Sequence, residues 1–175
     1  IGVGAQPILG FNRGARKFHR VKGAYLRAVA AATVAVTLGW LLCQTIPHVI
    51  LSLFGSASPA FTDFAVRSMR IYLFGIFCAG FQVVSTNYFQ ATGQPLKSAF
   101  LSLTRQLIFL LPAFLITPTL IPSLFPGMTP LMGYCFAFPV ADGLSVLLSA
   151  FLIIAEVRKQ HRRIAEAEAK GAITR

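Results

Sequence analysis

Long apolar stretches separated by short polar segments are the dominant pattern of this chain. Four stretches contain no Asp, Glu, Lys or Arg, and they are bounded by Arg27 and Asp63, Arg70 and Lys97, Arg105 and Asp142, and Asp142 and Glu156. Hydrocarbon does not solvate charge, and a helix that rises about 1.5 Å per residue needs roughly 20 apolar residues to cross a bilayer. The stretches together leave room for several such helices. The pattern therefore predicts an all-α, polytopic membrane helix bundle.

Turn-forming residues divide the pattern into four predicted transmembrane helices, at about 23–46, 67–91, 96–120 and 131–155. Pro47 withholds a backbone donor and marks the end of the first helix. Pro112 and Pro118 predict a kink or an early end in the third helix. Of the remaining residues, 1–12 are predicted to end an earlier transmembrane helix whose upstream part is missing, 13–22 to form a cytoplasmic link, and 156–175 to form a cytoplasmic tail with a short solvated helix.

The positive charges are concentrated on one side of the predicted membrane. The net charge is +11, yet only 12% of the residues are charged, against about 25% in soluble proteins. Fourteen of the sixteen lysines and arginines lie near the start of the chain (up to Arg27), around the connection between the second and third helices or in the tail, whereas Arg67 and Arg70 lie on the opposite side. Loops rich in Lys and Arg stay in the cytoplasm. Both ends are therefore predicted to be cytoplasmic, and topology explains the charge better than nucleic-acid binding does.

The sequence gives no sign of a metal site or an enzyme. Cys43, Cys78 and Cys135 stand singly in apolar stretches and are odd in number, so they indicate neither a disulfide framework nor a zinc site. The three histidines are widely separated along the chain. No serine, histidine and acid recur in an arrangement that would suggest a nucleophile with its base. We therefore predict a protein without a metal, a cofactor or catalytic residues.

Asp142 is the only carboxylate deep inside a predicted transmembrane helix. It lies near the middle of the fourth helix, where a charge is costly and usually faces a polar cavity or pairs with a cation. One interpretation is a proton or cation relay or a substrate counter-ion. The other, which we favour on the sequence alone, is an acid that bonds a neighbouring helix or the backbone freed by Pro139. Arg105 is expected to extend towards the membrane interface instead of entering a site.

Polar and small side chains recur along one face of the second predicted helix. They lie three or four residues apart, at Gly75, Ala79, Gln82, Thr86, Gln90 and Gly93, with Ser85 and Asn87 beside them. In lipid such a face turns inward, either to bond another helix or to line a water-filled path. A helix contact is the simpler interpretation. If the face lines a cavity instead, its candidate residues are Gln82, Thr86, Gln90 and Asn87.

The segment at 5–17 (AQPILGFNRGARK) and the basic residues after it resemble the QPIIGFNYGA-type segment of the MATE (multidrug and toxic compound extrusion) family. The residues that carry this motif are Gln6, Pro7, Asn12, Gly14, Ala15 and Arg20. Three further stretches, 87–93 (NYFQATG), 102–106 (SLTRQ) and 138–142 (FPVAD), are similar to later helices of the family and occur in family order. The resemblance is to the bacterial and archaeal multidrug-efflux branch.

The resemblance implies a fold of two six-helix lobes that face a central cavity. This chain would be the end of helix 8 through helix 12, in the carboxy-terminal lobe, and the amino-terminal lobe of the same protein would be its partner. The implied activity is export of cationic or amphiphilic drug-like compounds across the plasma membrane, the inner membrane of bacteria, by antiport with protons or sodium. Some branches have a coupling carboxylate on helix 10, but residues 71–92 contain no acid. The coupling site is therefore expected in the missing part.

Two alternatives remain open from the sequence. One is a lipid-linked saccharide flippase of the same superfamily, and the other is a membrane scaffold subunit that transports nothing. Because four helices and part of a fifth cannot enclose a cavity between two lobes, we expect that these 175 residues do not transport on their own.

Overall fold

The computed structural model describes residues 1–55 and 58–173, and the side chains at 160, 161 and 163–173 lie outside this description. Within the described residues every regular element is helical. The α-helices are α1 (Gly2–Gly14), α2 (Phe18–Thr45), α3 (Pro47–Ser52), α4 (Pro59–Tyr72), α5 (Ala79–Ala91), α6 (Pro95–Leu103), α7 (Leu111–Leu124) and α8 (Pro130–Ile173). A 3₁₀ turn (Ile76–Cys78) lies between α4 and α5, and a π-helical segment (Thr104–Leu110) joins α6 to α7.

Four of the helical stretches are long and apolar enough to cross a membrane: Phe18–Thr45, Pro59–Ala91, Pro95–Leu124 and Pro130–Lys159. Large apolar side chains point away from the bundle, and Leu115, Leu147 and Phe151 are each at least two-thirds exposed. Contiguous exposed apolar surface of this kind marks contact with lipid or another protein. The predicted all-α membrane bundle is therefore confirmed, and the chain is part of a multi-pass membrane protein.

Two local features differ from the sequence expectation. The chain is interrupted between α1 and α2 only at 15–17, where Arg16 has a φ of 56°, and the basic residues after it already belong to α2. This break is shorter than the predicted link at 13–22, because basic side chains are compatible with a helix that extends beyond the membrane. Pro112 and Pro118 were expected to cause a kink or an early end, and the early end does not occur, since α7 continues to Leu124. The irregularity lies upstream instead, in the π-helical segment.

Helices α1, α2, α5, α6 and α8 meet in one buried core. Its most enclosed apolar side chains are Leu9, Val21, Val84, Phe89 and Leu101. In this core the hydroxyl groups of Tyr25 and Ser85 share a hydrogen bond of 2.8 Å, and the rings of Tyr25 and Tyr88 lie 5.0 Å apart. The core fixes the position of α5, which carries most of the candidate site residues.

Candidate functional site

The polar face predicted along the second transmembrane helix is interrupted in the structure. Gly75 lies before the 3₁₀ turn, so a regular helical face exists only within α5. The prediction of one uninterrupted face from Gly75 to Gly93 is therefore wrong, because it assumed a constant helical repeat. On α5, Gln82 is buried, Thr86 and Asn87 are half-buried and Gln90 is exposed.

Local hydrogen bonds satisfy part of this polar face. The Thr86 hydroxyl donates to the carbonyl oxygen of Gln82 at 3.0 Å, and Nδ2 of Asn87 donates to the carbonyl oxygen of Val83 at 2.8 Å. These bonds keep two side chains against their own helix. The amide oxygens of Asn87 and Gln90 accept from another helix.

Gln6, Asn87 and Gln90 form an amide cluster between α1 and α5. Nε2 of Gln6 donates to Oδ1 of Asn87 at 2.6 Å and to Oε1 of Gln90 at 3.1 Å. The two helices approach closely here, since a Cβ atom added at Gly2 would lie 2.6 Å from Nδ2 of Asn87. The structure thus joins one motif residue to two cavity candidates that the sequence identified separately.

The other motif residues lie in α1, in the turn after it or at the start of α2, and they are not brought into this cluster. Pro7 is inside α1, Gly14 is its last residue and Ala15 follows it. Nδ2 of Asn12 donates to the carbonyl oxygen of Ile8 at 2.8 Å. Arg20 is exposed in the first turns of α2. Their positions match a role in shaping the turn between the two helices.

Asp142 is buried on α8 and pairs with Arg105 from the π-helical segment. Nε and Nη2 of Arg105 donate to the same oxygen, Oδ1, at 2.9 and 2.7 Å. The expectation that Arg105 extends to the interface is therefore wrong. Pairing is favoured because a buried carboxylate without a cation is far more costly than a buried ion pair.

Glu156 is a second buried carboxylate, and sequence reasoning missed it. The sequence pattern places it in the solvated tail, but it accepts hydrogen bonds from Nζ of Lys97 at 2.7 Å and Nε2 of Gln94 at 2.9 Å. Nη2 of Arg13 lies 3.7 Å from Oε1. One signal was available, because Glu156 lies fourteen residues after Asp142 and therefore on the same face of an α-helix.

A cavity of about 790 Å³ lies between α2, α4, the 3₁₀ turn and α8. Its walls are mostly aromatic or apolar, and they include Trp40, Gln44, Arg70, Phe74, Phe77 and Pro139. Cavities of this size accommodate drug-sized ligands. None of the four predicted cavity residues lines it. Sequence reasoning did not predict this cavity, because the residues that line it come from three separate stretches of the chain.

The MatE family model matches residues 1–115 of the chain. The chain belongs to the MatE family. The matched residues include the amide cluster and Arg105, whereas Asp142 and Glu156 lie beyond them. Members of the MatE family are membrane transporters and not enzymes.

The MatE fold is also evident in a comparison with solved structures. The chain matches the inward-facing conformation of a multidrug resistance MATE family transporter of the MOP superfamily, with a TM-score of 0.80 and 13% sequence identity. The match covers 92% of this chain and 36% of the transporter chain. The chain thus spans about a third of the length of that transporter. No curated protein matches it.

Proposed function

We propose that this MatE chain is the carboxy-terminal part of a secondary active multidrug exporter of the bacterial and archaeal branch. The exporter moves cationic or amphiphilic compounds out across the plasma membrane in exchange for protons or sodium. The observation that carries the proposal is the fold match to a multidrug resistance transporter over 92% of this chain. The positive-inside distribution of Lys and Arg supports cytoplasmic ends.

The arrangement of α1 and α5 suits alternating access, in which one lobe rocks against the other around a central site. The amide cluster and the shared core hold α1 to α5, so the two helices move as one body. Gln82, Thr86, Asn87 and Gln90 are the proposed contacts of this half with the substrate path. The coupling ion binds mainly in the other part of the protein.

A transport assay of the full-length protein tests this proposal. Expression in bacteria that lack their own drug pumps should raise resistance to cationic dyes at least fourfold over empty vector. No increase in resistance over empty vector, together with export of a lipid-linked saccharide, would establish the flippase alternative. Neither activity from a well-expressed protein would favour the scaffold alternative.

The Gln82→Ala substitution then tests the proposed substrate path. Because Gln82 carries the most enclosed amide of the α5 face, its loss should lower export of at least one substrate severalfold at unchanged expression. Thr117→Val is the matched control, since Thr117 is equally buried but lies on α7, where its hydroxyl bonds the carbonyl oxygen of Ala113. Unchanged export of a broad drug panel by Gln82→Ala would remove Gln82 from the path.

A further inference from the structure

One face of α8 carries four buried polar side chains. Asp142, Ser145, Ser149 and Glu156 follow one another at spacings of three, four and seven, so they lie on one side of the helix. Their exposed fractions are 4%, 2%, 0% and 4%. This is the only acid-bounded polar face among the membrane-length helices of the described residues.

Both ends of this face are attached to the same neighbouring helical stretch. Asp142 pairs with Arg105 in the π-helical segment, and Glu156 pairs with Lys97 in α6. The two serines between the acids therefore lie on the side of α8 that is turned towards this stretch. Thr104, the residue before Arg105, is buried as well. We call Thr104, Ser145 and Ser149 the hydroxyl seam.

Among the residues that the structure describes, the hydroxyl groups of the seam have no hydrogen-bond partner. The hydroxyl oxygens of Thr104, Ser145 and Ser149 are enclosed, and none of them has a partner. The Ser68 hydroxyl on α4 is also enclosed without a partner, whereas the hydroxyls of Thr92 and Thr86 donate to a carbonyl four residues earlier, at 2.8 and 3.0 Å. An enclosed hydroxyl without a partner is unfavourable. The seam thus has bonding capacity that another polar molecule can use.

Close helix packing alone does not account for the serines. Small residues recur every fourth position along α8, at Gly133, Ala137, Ala141, Ser145 and Ser149. Ala137 and Ala141 are as buried as the serines, so alanine satisfies the packing. In this series alanine occupies the two positions just before Asp142, and serine occupies the two positions between Asp142 and Glu156. The hydroxyls therefore accompany the acids.

We propose that the hydroxyl seam is a hydrated path along which protons pass between the Glu156 end of the bundle and Asp142. Buried water bonds enclosed polar groups, and a hydroxyl both donates and accepts hydrogen bonds. A proton that arrives at a hydroxyl oxygen from one side is matched by release of that hydroxyl's own proton on the other. The last release neutralises the Asp142 carboxylate, and the reverse sequence restores every group. Bound metal cations instead need a compact cage of oxygens, which hydroxyls spread along a helix do not form.

Charged and polar side chains from several elements face the two acids that bound the path. Arg105 faces Asp142 from the π-helical segment, and Cys78 faces it from the 3₁₀ turn. Arg13, Gln94 and Lys97 surround Glu156. This inference rests on the proposed antiport. It adds a route for protons through this half of the protein to the main ion site proposed for the other half, and it favours the relay interpretation of Asp142.

The test uses the full-length transporter in proteoliposomes with two readouts. The first is exchange of labelled drug across the membrane without any ion gradient, and the second is proton movement driven by a drug gradient. The variant is Thr104→Val with Ser145→Ala and Ser149→Ala, which removes three hydroxyls with little change in volume. Proton movement should fall at least tenfold, whereas drug exchange should stay within twofold. The control Thr117→Val, whose hydroxyl is already bonded, should change neither.

The outcomes separate this proposal from the proposed function. Proton movement within twofold of wild type in the triple variant would show that the serines only pack. Drug exchange coupled to sodium alone would refute the proton path and leave the exporter intact. If the wild type exchanges no drug, the proposed exporter function is refuted, and the path is tested by measuring whether water reaches the seam. Ser149→Cys, with native cysteines replaced, should then react at least tenfold faster with a small charged thiol reagent than the equally buried Ala137→Cys, and equal rates would refute the path.

Discussion

Asp142 and Glu156 are equally buried carboxylates on one face of one helix, yet they are held in different ways. Asp142 receives both of its hydrogen bonds from a single side chain, Arg105, at a single oxygen. Glu156 receives hydrogen bonds from Lys97 and Gln94 at different oxygens, and Arg13 lies nearby. The first charge depends on one partner, and the second is shared among several.

The difference indicates which of the two buried acids tolerates the loss of one partner. Loss of the single partner of a buried charge leaves that charge uncompensated, which is strongly destabilising. A charge with several partners keeps part of its compensation after one is lost. The Asp142 pair should therefore be the more fragile of the two, although both sites look alike by burial alone.

Substitution Arg105→Leu is expected to destabilise the protein more than any change at the Glu156 site. It leaves Asp142 buried without a cation, and we expect a loss of about 3 kcal/mol of unfolding free energy, at the lower end for buried pairs because a third of the Arg105 side chain is exposed. Denaturant titration of the full-length protein in detergent would measure it.

The double variant Arg105→Leu with Asp142→Leu is the control for this prediction. It removes both charges, so most of the lost stability should return, because a buried pair replaced by apolar side chains is often neutral. If the double variant is as unstable as Arg105→Leu, the loss comes from packing of the arginine stem and not from the uncompensated acid.

Substitution Lys97→Ala tests the other acid, Glu156, by removing one of its several partners. Glu156 keeps its bond from Gln94 and the nearby charge of Arg13, so the expected loss is about 1.5 kcal/mol, near the lower value for hydrogen bonds to charged groups. The same titration measures it. A loss as large as that of Arg105→Leu would mean that Lys97 alone compensates Glu156, and the proposed sharing would be wrong.

The four transmembrane helices were predictable because exclusion of charge from hydrocarbon is a property of each stretch by itself. The partners of the acids were not predictable in this way. Arg105 lies 37 positions from Asp142, and Lys97 lies 59 positions from Glu156. Which side chains meet depends on which helices are neighbours, and hydropathy carries no information about that.

In the candidate site too, the residues were predictable from the sequence but their contacts were not. The motif around Gln6 and the polar residues of α5 were visible in the sequence, but their contact spans 81 positions from Gln6 to Asn87. The spacing argument failed at Gly75, because the 3₁₀ turn at Ile76–Cys78 changes the rotation per residue. Pro118 did not end α7, since a proline in a membrane helix is tolerated where neighbouring helices pack against it.

Substitution Arg13→Ala is expected to have the smallest effect, and it tests how far the sharing at Glu156 extends. Nη2 of Arg13 lies 3.7 Å from Oε1 of Glu156, which is beyond hydrogen-bond distance, and its guanidinium also lies 5.3 Å from the Phe18 ring centroid. A pair of this kind contributes about 0.5 kcal/mol and weakens as salt increases. The difference in unfolding free energy between Arg13→Ala and wild type should therefore be smaller at high salt than at low salt. A loss equal to that of Lys97→Ala, unchanged by salt, would make Arg13 a full partner of Glu156, and the acid would then hold the end of α1 as firmly as it holds α6.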